Sequence, residues 1–551
     1  MSLVETIRES VIGKDTAVET PFGLRRVTYA DYTASGRSLS FIEDYISRQV
    51  LPLYANTHTE TSGTGLQTTR FREDARSIVR ESVGATIEEH AVIFAGTGAT
   101  GAIDRLIGIL GLRIPDELDK RFGLTDSIPL DERPVILVGP YEHHSNELPW
   151  RETIADVIEI NEDADGQIDL AELEHRLVEF EGRALRIGSF SAASNVTGII
   201  SDTTAITKLL HDHGALSFWD FAASAPYVDI DMRTSSESEG RYMDAIFLSP
   251  HKLIGGPGSP GVLVARKALL TNAVPVVPGG GVVQYVSPVD HLYVADPEHR
   301  EEAGTPAIIG SIRAGLAFKL KGEVGVPQIR QLEHDFISRA IESWGANENI
   351  AILGNPEADR LSIVSFLIKS EDKTLHHNFV VALLNDIFGI QARGGCSCAG
   401  PYGHRLLGID ADTSARFEEV IATGCEVLKP GWVRLNFNYF IAEAEFLYIL
   451  SAVHLIAEHG HNLLPLYTFD TTSGVWRHRD GLPKPPASLR DARFDGSDQP
   501  PTTAPIGSLD DYLEKATRIL DSAPQTSGSS PLLSKDAEDL RWFPTPQEVS
   551  R

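Results

Sequence analysis

Asp244-Ala245-Ile246-Phe247-Leu248-Ser249-Pro250-His251-Lys252-Leu253-Ile254-Gly255-Gly256-Pro257-Gly258-Ser259-Pro260-Gly261 runs from an apolar strand through one lysine into a glycine-rich loop. A lone Lys at the end of a buried strand is where α/β folds place a reactive amine. Such an amine can form a Schiff base with a carbonyl cofactor. Outward from this stretch, helix and strand patterns alternate. Helices are predicted at 70–83, through 103–107 and at 203–213, and strands at 91–94, 135–138, 186–190 and 215–220. Strands separated by helices predict a mainly parallel sheet with crossover connections. Ligands of such sheets sit beyond the carboxyl ends of the strands.

The chain has 551 residues, 42% of them hydrophobic, too many for one compact domain. From about 310 the pattern changes to helices at 308–320 and 328–344, strands at 350–353 and 361–366, a helix at 377–388, a strand at 433–437 and a helix at 442–459. This reads as a second, smaller α+β domain. Beyond 462, Pro, Ser, Asp and Gly dominate; 483–505 reads as extended and poorly packed, followed by one amphipathic helix at 509–520. The expected division is a segment 1–27 packing with the small domain, a large domain 28–300, the small domain 301–462 and an extension 463–551. A net charge of −28 disfavours nucleic acid and anionic membranes as partners. No basic-then-apolar leader and no run of about 18 apolar residues is present. Only Cys396, Cys398 and Cys425 occur, so a reducing, cytoplasmic location is expected.

Several loops carry residues with chemistry. Gly96-Thr97-Gly98-Ala99-Thr100-Gly101 lies between a strand and a helix. It can surround a phosphate with N–H groups and a hydroxyl, or it is an ordinary βα turn. In Glu142-His143-His144-Ser145-Asn146 a flat imidazole can stack on an aromatic cofactor, or the pair are ordinary satisfied loop histidines. No third ligand lies at a useful spacing, so no metal is expected. Asp220 ends a strand; it can pair with a pyridinium nitrogen or cap a helix. Asn195 also follows a strand and either contacts a cofactor oxygen or closes a turn. Arg393-Gly394-Gly395-Cys396-Ser397-Cys398-Ala399-Gly400-Pro401 places two cysteines near an arginine suited to carboxylates.

The order of these pieces resembles the class V, fold type I pyridoxal-phosphate enzymes, and within them the cysteine desulfurase and selenocysteine lyase group. The most specific pieces are Ser249-x-His251-Lys252, Glu142-His143-His144-x-Asn146, Ala303-Gly304-Thr305-Pro306 and Arg393-x4-Cys398-Ala399-x-Pro401, and the resemblance spans roughly residues 28–460. It implies a seven-stranded-type sheet between helices, a homodimer, and pyridoxal 5′-phosphate as cofactor. It implies Lys252 as the Schiff-base lysine, His143 on the pyridine ring and Asp220 on the ring nitrogen. Thr97, Gly98, Ala99, Thr100, Ser249 and His251 then contact the phosphate, with Thr305 contributing from the other subunit. Asn195 and Arg393 match substrate-carboxylate contacts. Cys398 matches the sulfur-accepting cysteine, with Cys396 ranked second. The implied reaction converts L-cysteine to L-alanine, moves sulfur to Cys398 as a persulfide, and takes a sulfur-acceptor protein as a further partner. The alternative is another class V reaction on a small amino acid, such as a selenocysteine lyase, C–S lyase, epimerase or aminotransferase. A non-enzymatic binding protein is the remaining reading. Two features depart from the pattern: the segment Gly255-Gly256-Pro257-Gly258-Ser259-Pro260-Gly261 is longer than the usual loop after the lysine, and one site position differs. Where the family normally carries Gln or His three residues after the aspartate, this chain has Ala223, followed by Ser224. The tail beyond 462 has no counterpart in ordinary desulfurases.

Overall fold

The computed structural model describes residues 1–551 except 58, 233–239, 482–486, 499, 522–530 and 549–551. Seven strands form the main sheet: β1 (His90–Ala95), β2 (Val135–Val138), β3 (Asp156–Glu159), β4 (Arg186–Ser191), β5 (Leu216–Asp220), β6 (Ala245–Leu248) and β7 (Gly261–Arg266). Their order is β1-β7-β6-β5-β4-β2-β3. The neighbouring pairs from β6 to β3 are parallel, while β7 runs antiparallel to both β1 and β6. The β2 and β6 side chains are buried throughout, as expected for strands covered on both faces by helices.

The sequence reading names neither β3 nor β7 as a strand, and an expected parallel sheet does not foresee the antiparallel direction of β7. The physical reason for that direction lies in residues 249–260. They hold only the short turn Pro250–Lys252 and no crossover helix, which a parallel return needs. The glycines let this connection fold tightly: a Cβ on Gly256 would stand 1.9 Å from the Pro250 carbonyl oxygen, and one on Gly261 1.9 Å from that of Gly98. Predicted helices are present with longer ends, as Gly63–Ser82, Gly98–Ile109, Ile308–Val324 and Val326–Gly345. The helix at 377–388 has the predicted bounds.

A second sheet contains β8 (Ile350–Ile352), β9 (Ile363–Ser370), β10 (Arg393–Gly395) and β11 (Trp432–Asn436), in the order β8-β9-β11-β10. Its core includes Phe366, Leu383, Phe388, Leu435 and Ile449. The N-terminal helix Leu3–Ser10 lies against this region, where Arg8 donates to the Phe440 and Ile441 carbonyls at 2.7 and 3.1 Å.

The tail departs from expectation. It is not an extension with one helix. It forms the hairpin Tyr467–Phe469/Trp476–His478, then the helices Ser508–Asp521 and Lys535–Asp539. Tyr467, Trp476, Leu509, Tyr512, Leu520 and Phe543 join the same core as Leu383 and Phe388. Its composition hid this, because a few well-spaced large side chains bury more area than the intervening Pro, Ser and Asp remove. Of the segment predicted to be extended, 483–486 and 499 lie outside the described residues. Among the described residues, no helix is long and apolar enough to cross a membrane.

Candidate active site

Loops leaving β1, β2, β4, β5 and β6 meet residues of β10, β11 and the cysteine loop around a cavity of about 250 Å³. Thr97, Gly98, Ala99, Thr100, His143, Asn195, Asp220, Ser249, His251, Lys252, Arg393 and Cys398 all line it. These are the predicted site residues except Thr305. That threonine is exposed outside the cavity, with the Asn56 Nδ2 donating to its Oγ1 at 3.5 Å. Its neighbourhood is braced by buried ion pairs: Glu302 binds Arg72 and Arg76, and Glu298 binds Arg80.

The floor belongs to the sheet. Asp220 ends β5, is 4% exposed, and accepts the Ala222 N–H on Oδ1 at 2.7 Å. Burial pushes its carboxyl above the usual carboxylate range, opposed by the Ala222 N–H and by Lys252. Lys252 stands in the turn after β6. Burial pushes its amine down to about 8; Arg434 and Arg393 act the same way, and Asp220 and Cys398 oppose them. His143 accepts the Ser145 N–H on Nδ1 at 3.1 Å, which puts its proton on Nε2. Burial, with Lys252 beside it, pushes it down to about 3, so the ring is neutral near pH 7. Under it, Glu142 accepts from Ser191 N and Oγ (2.8 and 2.6 Å) and from Asn146 Nδ2 (2.6 Å). Burial raises Glu142 to about 7.

The Gly98 end is a cradle. The Ala99 N–H donates to the Ser249 Oγ at 2.9 Å, and Thr100 and Ser145 share a 2.6 Å hydroxyl contact. A Cβ on Gly98 would lie 2.9 Å from the Ser249 Oγ and 3.0 Å from the His251 ring. Burial pushes His251 down to about 4, so it too is neutral near pH 7.

The sequence reading missed two residues here: Arg434, which lines the cavity, and Asp31, which pairs with it. Arg434 on β11 is 4% exposed, donates to the Asn195 carbonyl at 3.0 Å and pairs with Asp31 at 3.1 Å. Asp31 also accepts from the Arg393 Nε at 3.1 Å, so one carboxylate joins both arginines. The available signal was a charge inside the apolar run Trp432-Val433-Arg434-Leu435. Asn195 donates from Nδ2 to the Ser397 carbonyl at 2.8 Å, while its Oδ1 is buried with no partner among the described residues. Cys398 is exposed to the cavity, and both Ser397 and Cys398 have left-handed backbones, with φ of 52° and 57°. Cys396 is half-buried against an apolar cluster and does not line the cavity. Ala223 is 7% exposed and presents only a methyl to the wall.

This site fits pyridoxal phosphate. The buried Asp220 carboxylate suits a protonated ring nitrogen, the Asn195 Oδ1 has no donor among the described residues, and the glycine-containing Gly98 loop opens a helix N-terminus whose hydroxyl neighbours suit a phosphate.

The aminotransferase class-V family pattern matches residues 28–417. A probable cysteine desulfurase from Halalkalibacterium halodurans is 28% identical over 399 residues, covering 71% of this chain and 88% of that protein. One from Staphylococcus aureus strain N315 is 28% identical over 401 residues, with the same coverage of 71% and 88%. Among solved structures, the apo cysteine desulfurase from Thermococcus onnurineus NA1 superposes with a TM-score of 0.62 at 25% identity, covering 78% of this chain and 95% of that one. The Escherichia coli cysteine desulfurase CsdA gives 0.60 at 21% identity, covering 78% and 94%, a likeness of fold.

Proposed function

The chain belongs to the aminotransferase class-V family of pyridoxal-phosphate-dependent enzymes, and from that premise we propose that it is a cysteine desulfurase. The observation that carries the reading is one cavity lined by Lys252, Cys398, Arg393 and Arg434.

Thr97, Gly98, Ala99, Thr100, Ser249 and His251 would hold the cofactor phosphate, Asp220 the ring nitrogen and His143 the ring face. When bound, pyridoxal phosphate supplies a sink for the electron pair left when the Cα–H bond of an amino acid breaks. Arg393 and Asn195 fix the substrate carboxylate, which turns the Cα–H bond toward Lys252. The Lys252 Nζ takes the Cα proton; its depressed basicity keeps a usable neutral fraction near pH 8. The Cys398 thiolate then attacks the substrate sulfur. A sulfur–sulfur bond forms, the Cβ–S bond breaks, and its electron pair stays on carbon, which leaves as the methyl of alanine after protonation. Because Cys398 is exposed, its persulfide is within reach of an acceptor protein. Thr305, outside this cavity, would complete the site of a second copy in a homodimer. The compartment that suits the reaction is the reducing cytoplasm.

Ala223 supports a second reading. The wall offers a methyl where a hydrogen-bonding side chain would tune the cofactor, which suits another class V reaction on a small amino acid. One experiment separates the two. Wild type, Cys396→Ser and Cys398→Ser are incubated with L-cysteine, and sulfide and alanine are followed. The desulfurase reading expects C396S to turn over and C398S to stop. Turnover by C398S, or none by wild type, refutes it.

A further inference from the structure

His144 is not needed to hold a cofactor, yet it grips the cysteine loop at two points. Its backbone N–H donates to the Cys398 carbonyl at 2.8 Å. Its Nε2 accepts the Gly400 N–H at 3.0 Å. Between these contacts Ala399 is fully buried. The gripped backbone is unusual, because Ser397 and Cys398 are consecutive non-glycine residues in left-handed conformation. Such geometry persists only where the surroundings over-determine it.

The grip transmits the rigidity of the sheet. His144 opens the short turn His144–Asn146 beyond β2. Asn146 is fully buried and bolts that turn down, donating to Glu142 (2.6 Å) and Ser189 O (3.1 Å) and accepting from Ser189 Oγ (2.7 Å) and Trp150 Nε1 (3.2 Å). Hence adjacent histidines divide the labour. His143 lines the cavity; His144 faces the loop.

We propose that His144 is a positioning residue for the Cys398 thiol: it ties the strained Ser397–Cys398 turn to the main sheet, so that the thiol stands in the cavity with Lys252. The consequence for catalysis rests on the sulfur-transfer reading; the mechanical tie does not. The Nε2 acceptor is the element to test, since backbone contacts survive substitution.

The experiment compares His144→Phe, which keeps a ring but loses the acceptor, with His144→Gln, whose amide oxygen can accept the same bond. Hydrogen exchange of the peptide 396–406 is followed by mass spectrometry in the holoenzyme, together with steady-state kinetics on L-cysteine. H144F should speed exchange at this peptide about tenfold, as expected for one lost hydrogen bond, and H144Q should stay within about threefold of wild type. In H144F, kcat should fall about tenfold with KM within about twofold, because the thiol and not the carboxylate site is displaced. Unchanged exchange in H144F, or H144Q behaving as H144F, overturns the proposal. If H144F does not fold, His144→Asn, too short to reach Gly400, takes its place with the same expectations. Turnover by C398S would refute sulfur transfer and leave the exchange result to decide the tie alone.

Discussion

Asp31→Asn tests how the two arginines of the site are held. The Asp31 carboxylate binds the Arg393 Nε and the Arg434 Nη2, each at 3.1 Å. Arg434 is almost fully buried, and burial already holds its guanidinium below its usual basicity, with Arg393 adding repulsion. Removing the negative charge leaves a buried cation whose other hydrogen bond is to the Asn195 carbonyl. Breaking a buried pair from one side costs about 3–5 kcal/mol. Asparagine keeps the volume and one acceptor oxygen, so a loss of about 2–4 kcal/mol is expected. At about 2–4 °C per kcal/mol, the melting temperature of the region around the second sheet should fall by roughly 4–16 °C. The assay is scanning calorimetry of the cofactor-free protein at low salt. A carboxylate ligand should replace the missing charge, so L-alanine should raise the D31N midpoint more than that of wild type. A D31N midpoint within about 1 °C of wild type, or equal shifts with alanine, would refute the reasoning.

Gly98→Ala puts a Cβ 2.9 Å from the Ser249 Oγ on a backbone with φ of +55°, so the affinity of the apoenzyme for pyridoxal phosphate should fall at least about tenfold in an absorbance titration. Trp542 stacks on His376 and His377 with centroids 5.1 and 5.7 Å away and donates to the Leu428 carbonyl at 3.1 Å. Trp542→Ala should therefore cost about 3 kcal/mol and expose the tail to limited proteolysis, which would proceed at the wild-type rate if the tail were merely draped on the surface. Burial pushes His377 down to about 3, whereas an unfolded histidine titrates near ~6.5. As pH falls through ~6.5 the unfolded chain gains a proton that the folded chain refuses, so stability is full above that pH and drains toward 3. This one residue should remove about 2 kcal/mol between pH 7 and 5, and His377→Phe should flatten that part of the denaturation profile.

Much of the site was legible because it sits where local pattern sets position. Short β-branched or aromatic apolar runs such as Val135–Val138 and Ala245–Leu248, bounded by turn residues, read as buried strands, and the residues that follow them fall at one end of a parallel sheet. Lys252, Asp220, His143 and the Gly98 loop follow from that rule. The direction of β7 was not legible as a pattern, because strand periodicity carries no direction; the shortness of its connection sets it. The tail was misread because average composition says little about a few spaced aromatics. Cys396 and Cys398 share a motif, yet one packs on an apolar cluster and the other faces the cavity, a division made by the left-handed turn between them.

By itself the sequence determined the scaffold and the place of Lys252 at a strand end, since both depend on short-range order: alternating apolar segments, a strand end and a glycine loop. The tertiary structure alone decided that Asp31, His144, Asn195 and Arg434 converge on Arg393 and Cys398, and that the tail completes the second core. Those residues are hundreds of positions apart in places. Their meeting depends on how two sheets pack together, and the partners of a buried charge are chosen by that packing rather than by neighbours along the chain.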